Sequence, residues 1–344
     1  MSDVFFFNTW YRGHNNPRYA ELLPRLERVD TRVLTFPRRR VLRAGLERAW
    51  RRAKPRLEPR LLRRLERRYP YAFVTDVPQL SLLSRPAVAD VDDPYFSEAE
   101  VEGLKRVVAY VVTAESAARR LEAAGVDRPW HVVPQGVALD TLDPARTREI
   151  GERLGRGDSV VVGYTAAFLL LPGDRGGGNP LYDVSHLLEL WEGIAPRVPR
   201  ARLWLVGTPS AQLAERVAGR SDVLLTGRVP QSEVLSYVSN FDVALYPRAA
   251  DQGVRAVKTA EYLGVGAPVV SYDYDVVADV REAGAGILVG EPREFVEAVE
   301  RLVVDDTLRT EVAARAKAAG AARDWRVLAE RYNRILDQHL PRLD

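Results

Sequence analysis

Residues Gln252 to Asp273 read QGVRAVKTAEYLGVGAPVVSYD. A loop of small residues leads into a short helical stretch, in which Lys258 and Glu261 stand three apart and so share one face. Gly264 and Gly266 supply the backbone freedom that a helix end needs, Pro268 follows the turn, and an apolar β-branched run takes over. Loop, helix and buried strand in that order are the repeating unit of a parallel α/β sheet.

The cycle recurs on both sides of this segment. In the second half of the chain, strands are expected at Ser159 to Gly163, Arg202 to Val206, Asp222 to Leu225, Val243 to Tyr246, Pro268 to Ser271 and Gly286 to Val289, separated by helix-sized intervals. The first half has its own series at Val4 to Phe7, Arg32 to Phe36, Ala72 to Thr75, Ala87 to Val91, Ala109 to Thr113 and His131 to Val133. Helices are expected over Arg18 to Arg28, over Arg43 to Arg68 with interruptions at Pro55 and Pro59, and over Ser116 to Ala124. Three more close the chain near Arg293 to Val304, Asp306 to Ala319 and Trp325 to Leu340. Leu139 to Asp158, charged and punctuated by glycine, reads as the connection between the two series.

A length of 344 residues exceeds what one hydrophobic core usually serves, with a single long barrel as the competing architecture. Two α/β domains are expected: residues 1–150, joined by the terminal helix 325–344, and residues 151–324. Two βα series with one link imply two Rossmann-like domains facing across a cleft. Ligands of doubly wound sheets sit outside the carboxyl ends of the strands, so that cleft is the default site.

Composition removes several chemistries. With 46% hydrophobic and 28% charged residues the chain is of the globular, self-folding kind. The absence of cysteine excludes disulfides, thiolate metal sites and thiol nucleophiles, and is compatible with a reducing compartment. No run approaches the ~18 to 20 apolar residues of a spanning helix, and Met1 to Trp10 lacks the pattern of a secretory signal; the expectation is a cytoplasmic protein. The net charge of +3 conceals an asymmetry: Phe36 to Arg68 holds thirteen Arg and one Lys against three Glu, a local excess of +11. Such a block is either a solvated helix face or an attraction to anionic surfaces such as lipid headgroups. No nucleic-acid-binding module accompanies it, so no nucleic-acid partner is expected.

The pair Lys258 and Glu261 admits two readings. One is an ordinary i,i+3 surface ion pair. The other is a nucleotide site, where a cation and helix N–H groups meet the phosphates and a carboxylate accepts from ribose hydroxyls.

The stretch resembles the nucleotide-sugar motif of group 1, or family 4, glycosyltransferases of the GT-B fold. There, a lysine three residues before "EYL" is followed by a glycine-containing turn and "PVV". The resemblance gives Lys258 the phosphate role and Glu261 the ribose role, with Gly266, Pro268 and Val269 forming the turn and strand behind them. TGRVPQSEVLSYVSNFDVALYP, from Thr226 to Pro247, is similar to the family's element ahead of the motif, and implies that Arg228 and Val229 line the base. Val133 to Val137, VPQGV, resembles the family's "iPNGV", with Gln135 in place of the usual Asn.

Two departures stand out. Gly253 occupies the position where many members carry a sugar-contacting glutamate, leaving Asp251 or Gln252 to serve. The loop from Tyr164 to Leu181 offers the diphosphate only Arg175. ADVDDPYF, Ala89 to Phe96, is either a metal-chelating carboxylate cluster or a polar loop contacting sugar and acceptor, and the resemblance favours the second. Asp93 also suits a helix N-cap. His14 and Asn15 follow the first strand on the side of the cleft.

The candidate catalytic residues are therefore Lys258, Arg228 and Asp92. Candidate donor-binding residues are Glu261, Val229, Arg175, Gln252 and Gly253, and His14, Asn15, Asp93 and Gln135 lie on the acceptor or sugar side. The resemblance implies a hexosyltransferase-like enzyme that moves a sugar from a UDP- or GDP-linked donor to an acceptor hydroxyl with retention. No metal and no cofactor beyond that co-substrate is expected. The acceptor is a glycan, a lipid-linked or a small molecule, possible roles being cell-envelope polysaccharide or glycolipid synthesis at the inner membrane face. Gly253 and the thin phosphate loop keep open a non-catalytic nucleotide-sugar-binding or assembly protein with the same fold. An NAD-dependent oxidoreductase ranks below both, because G-x-G-x-x-G is missing at Phe7 to Asn16 and at Gly163 to Leu171.

Overall fold

The computed structural model describes residues 2–8, 17–33, 40–75, 77–92, 96–174, 182–248 and 257–342. The chain divides into two compact units, Met1–Gln135 with Trp325–Asp344, and Gly136–Asp324.

The first unit alternates β1 (Val4–Asn8), α1 (Pro17–Leu22), β2 (Val29–Val33), α2 (Arg40–Glu66), β3 (Tyr71–Val74), β4 (Ala87–Val91), α3 (Glu98–Leu104), β5 (Ala109–Val112), α4 (Glu115–Ala123) and β6 (Trp130–Val132). All pairings are parallel, in the order β2-β1-β3-β4-β5-β6. Strands β3, β4 and β5 are buried at every residue, as apolar strands covered on both faces must be.

The second unit runs α5 (Pro144–Arg153), β7 (Val160–Leu169), α6 (Ser185–Ile194), β8 (Ala201–Pro209), α7 (Ala211–Arg216), β9 (Val223–Leu225), α8 (Val234–Val238) and β10 (Val243–Tyr246). It continues with α9 (Val257–Val265), β11 (Val269–Tyr272), α10 (Ala278–Ala283), β12 (Gly286–Val289), α11 (Pro292–Val304) and α12 (Asp306–Ala321). Its parallel sheet has the order β12-β11-β10-β7-β8-β9. Helix starts follow local chemistry. The Asp143 carboxylate accepts from the amides of Ala145 and Arg146 ahead of α5, Glu291 and Glu294 form a capping box around α11, and Asp305 accepts from Leu308 N–H ahead of α12. Gly266 ends the turn after α9 at φ 80°, where a Cβ would also stand 3.2 Å from Lys317 Cβ.

The last helix, α13 (Trp325–His339), returns to the first unit. It buries Trp325 and Tyr332 against Arg18, whose guanidinium lies 5.6 and 5.7 Å from their ring centroids. That fully buried cation donates to both Asp90 oxygens at 3.0 and 3.2 Å, to the Pro134 and Val133 carbonyls at 3.0 Å each, and to Tyr332 Oη.

Three expectations are corrected. The second strand is Val29–Val33 rather than Arg32 to Phe36: Val29 pairs with Val4, and Arg28 just before it is anchored by Asp3 and Asp337 at 2.5 and 2.8 Å. Helix α2 runs through Pro55 and Pro59 without interruption. Its inner face is fixed by tertiary bonds, Glu58 to Gln79 at 3.0 Å and Glu66 to the amides of Ser84 and Arg85 at 2.5 and 3.2 Å. The unit boundary falls at Gln135 instead of residue 150, and Leu139 to Asp158 is no linker. Helix α5 packs with α8, through Arg146 to Glu233 at 2.7 Å and Arg153 to Tyr237 Oη at 2.8 Å.

Candidate active site

In the second unit the sheet order reverses at β7, which pairs with β8 on one side and with β10 on the other. Crossovers leave such a point in opposite directions and open a crevice at the carboxyl ends of the two strands. Tyr246, the last residue of β10, stands there with Arg248 two residues beyond, and Tyr164 lies midway along β7. Helix α9, opening at Val257, brings in Lys258 in its first turn. The ammonium donates to Tyr164 Oη at 3.0 Å and sits 4.1 Å from the Tyr164 ring centroid and 6.0 Å from that of Tyr246. The Arg248 guanidinium lies 5.1 Å from the Tyr246 ring centroid.

The electrostatics of these side chains suit an anion. Burial pulls the Lys258 ammonium below its ordinary range, Arg248 adds to the pull, and Tyr164 and Glu261 oppose it. One helical turn on, Glu261 is 9% exposed. Burial pushes its carboxyl up to about 7, against the attraction of Lys258 and a hydrogen bond from Gln231. The hydrogen bond of Lys258 goes to Tyr164 and not to Glu261, so the surface ion-pair reading does not describe these side chains. Two neighbouring cations beside a helix N-terminus, partly withdrawn from water, suit a diphosphate. A buried carboxylate one turn away suits hydroxyl groups.

The two sequence motifs meet through Gln231. Arg228 and Val229 follow β9 and Gly227, which has φ 75°. Val229 is half-buried against the core cluster that holds Tyr246 and Tyr262, whereas Arg228 is exposed to solvent. Gln231, two residues past Val229, reaches Glu261. Gln231, Tyr164, Tyr246 and Arg248 had escaped the sequence reading. Only Tyr246, which closes β10, and Arg248 just past it carried a positional signal; Tyr164 lies midway along β7, and Gln231 lies in the segment between β9 and α8.

In the first unit, Gln135 donates to the Asp92 carboxylate, and Thr113 Oγ1 donates to the Asp92 carbonyl at 3.3 Å. These two candidates thus form one polar spot, while Asp90 is turned inward to Arg18. Candidates Asp93, His14, Asn15, Arg175, Gln252 and Gly253, with Asp251, lie outside the described residues. Among the described residues no group of three or more His, Cys, Asp or Glu is placed to hold a metal ion, and no helix is long and apolar enough to cross a membrane.

Residues 179–305 match the family model described as "Glycosyl transferases group 1". No curated protein sequence matches significantly. Among solved structures, the chain is similar to Anabaena HepE in complex with UDP and glucose, at TM-score 0.71 and 15% identity, covering 98% of this chain and 100% of that one. It is also similar to the sucrose-phosphate synthase of Thermosynechococcus elongatus, at TM-score 0.70 and 14% identity over 98% and 99% of the two chains. WaaG, a glycosyltransferase involved in lipopolysaccharide biosynthesis, is similar at TM-score 0.65 and 13% identity over 98% and 100%. The matched family consists of glycosyltransferases, which are enzymes. Residues 179–305 thus resemble the group 1 glycosyl transferases, and the chain as a whole has the GT-B fold.

Proposed function

We propose that this chain transfers a sugar from a nucleoside diphosphate sugar to an acceptor hydroxyl, with retention of anomeric configuration. The observation that carries the reading is the convergence of Lys258, Arg248 and buried Glu261 where the sheet order reverses. Lys258 and Arg248 neutralise the diphosphate as it departs, and Glu261, steadied by Gln231, accepts from the ribose. The acceptor oxygen forms a bond to the anomeric carbon as the carbon–oxygen bond to the diphosphate breaks, and the departing phosphate can take the acceptor proton. No dedicated base is then required, and catalysis rests on positioning and charge stabilisation. Asp92 and Gln135 serve the acceptor or sugar side, along with His14, Asn15 and Asp93. Arg228, Val229, Arg175, Gln252 and Gly253 complete the donor side.

UDP is the preferred nucleotide to test first, because HepE is described with UDP, with GDP as the alternative. WaaG's description supports a cell-envelope glycan or lipid-linked acceptor. We place the reaction at the cytoplasmic face of a membrane, with the enzyme peripheral. A thermal-shift and turnover screen across UDP- and GDP-sugars tests the reading. Stabilisation by one nucleotide together with sugar release or transfer supports it. Nucleotide binding with no turnover on any acceptor returns the chain to a nucleotide-sugar-binding or assembly role.

A further inference from the structure

Helix α2 has an inner face and an outer one of different chemistry. Inward it buries Glu58, Leu62 and Glu66, so two of its three acidic side chains point toward the protein. Outward it exposes Leu46 at 45%, Leu57 at 40% and Leu61 at 40%, three of the seven large apolar side chains most exposed among the described residues. With half-buried Trp50 they fall four, seven and four residues apart, which aligns them along one side of a helix. The stripe spans about 22 Å at ~1.5 Å per residue. Arg60 and Arg64 are exposed beside this stripe, and Arg56, Arg52 and Arg48 are exposed progressively further round the same helix.

We infer that this face of α2 lies in the interface of an anionic lipid bilayer, with Leu46, Trp50, Leu57 and Leu61 dipping below the headgroups and the arginines meeting the lipid phosphates. The inference deepens the peripheral location proposed above and names its surface. An apolar stripe flanked at its end by Arg60 and Arg64, whose long stems can carry the guanidiniums outward, matches a boundary whose inner layer is hydrocarbon and whose outer layer is anionic. A second copy of the same face would set arginine against arginine. A nucleic acid would meet the charge but leave the leucines against water, as they are now.

The test is co-sedimentation of the full chain with vesicles of phosphatidylcholine alone, or with phosphatidylglycerol as a third of the lipid, across a salt series. Purely electrostatic attachment falls steeply with salt, whereas the leucines give a component that salt does not remove. Binding to the anionic vesicles is expected to persist in part at high salt. A variant with L46S, L57S and L61S should lose that part, about tenfold or more in partition coefficient from three half-exposed leucines. All three side chains are exposed, so the variant is expected to keep the wild-type melting temperature. In the unaltered protein, brominated lipid should quench a share of the tryptophan fluorescence that W50F removes. Binding that salt abolishes, with no effect of the leucine changes and no quenching, overturns the insertion and leaves the peripheral location standing. No binding to either vesicle overturns both, and neither result bears on donor turnover. Self-association that the leucine variant abolishes, or equal retention on a polyanion such as heparin with no lipid-specific part, also overturns the insertion.

Discussion

Replacing Lys258 with methionine separates a ligand-directed cation from a structural one. The substitution keeps the length and apolar stem but deletes the ammonium, with its 3.0 Å bond to Tyr164 Oη and its place 4.1 Å over that ring. In the empty protein the losses and gains oppose one another. A charge-assisted hydrogen bond contributes about 1.5–3 kcal/mol and a cation over a ring about 0.5–2 kcal/mol. Against these stand the burial of the charge and its repulsion by Arg248, so the net change in unfolding free energy should lie within about 1–2 kcal/mol of zero. With a diphosphate in place, no such offset exists: truncating one member of a buried charge pair costs about 2–5 kcal/mol, a factor of roughly thirty to several thousand. UDP binding by calorimetry and donor turnover should fall by that factor, while urea denaturation moves little. Wild-type UDP affinity and turnover in the variant would refute the reasoning. So would a stability loss of about 4 kcal/mol or more, which would make Lys258 a structural cation.

Glu261 titrates at about 7 because burial disfavours its charged form. A raised carboxyl contributes stability below its ordinary value of 4.5, and this is lost as pH rises through about 7. Glu261→Gln should therefore flatten a fall of about 1–3 kcal/mol in the stability of the empty protein over that window, read by urea denaturation. Wild-type affinity for UDP should gain from carboxylate ionisation over the same range, a gain that calorimetry should not find in the variant. Tyr164→Phe keeps the ring under Lys258 and removes one hydrogen bond, so UDP affinity should fall about five- to tenfold, with turnover following. Arg18→Met strands the buried Asp90 carboxylate and should destabilise the first unit by about 3–5 kcal/mol in urea, with UDP affinity unchanged. Gly266→Ala puts a side chain at φ 80° and should lower the melting temperature of the second unit, at a cost of about 1–2 kcal/mol.

Strands were legible where they are buried on both faces. Val243 to Tyr246 and Ala87 to Val91 read directly because apolar β-branched runs leave few alternatives. Edge strand β2, with the sequence VDTRV, carried too little apolar signal and was displaced toward the more apolar VLTF that follows. Two prolines suggested breaks in α2, since sequence shows the missing N–H groups but not the bonds that Glu58 and Glu66 make to hold the helix. At the site, Lys258 and Glu261 were visible through their spacing to the glycine turn. Tyr164 and Arg248 were not, because their significance comes from the pairing of β7 with β10, two strands more than seventy residues apart in sequence. Arg228 stood out by its motif but is exposed, which shows how little a motif says about where a flexible side chain points.

The return of α13 to the first unit has a consequence for the order in which the protein is made. Residues 136–324 are contiguous and can assemble as soon as they clear the ribosome, whereas the first unit begins the chain and waits for its end. Until Trp325 and Tyr332 emerge, the pocket around Arg18 and Asp90 lacks the rings that close it, and a buried ion pair open to water cannot settle into its final geometry. The unit translated first is thus the unit completed last. A nascent chain stalled before residue 325 should carry a protease-resistant second unit tethered to a susceptible first one.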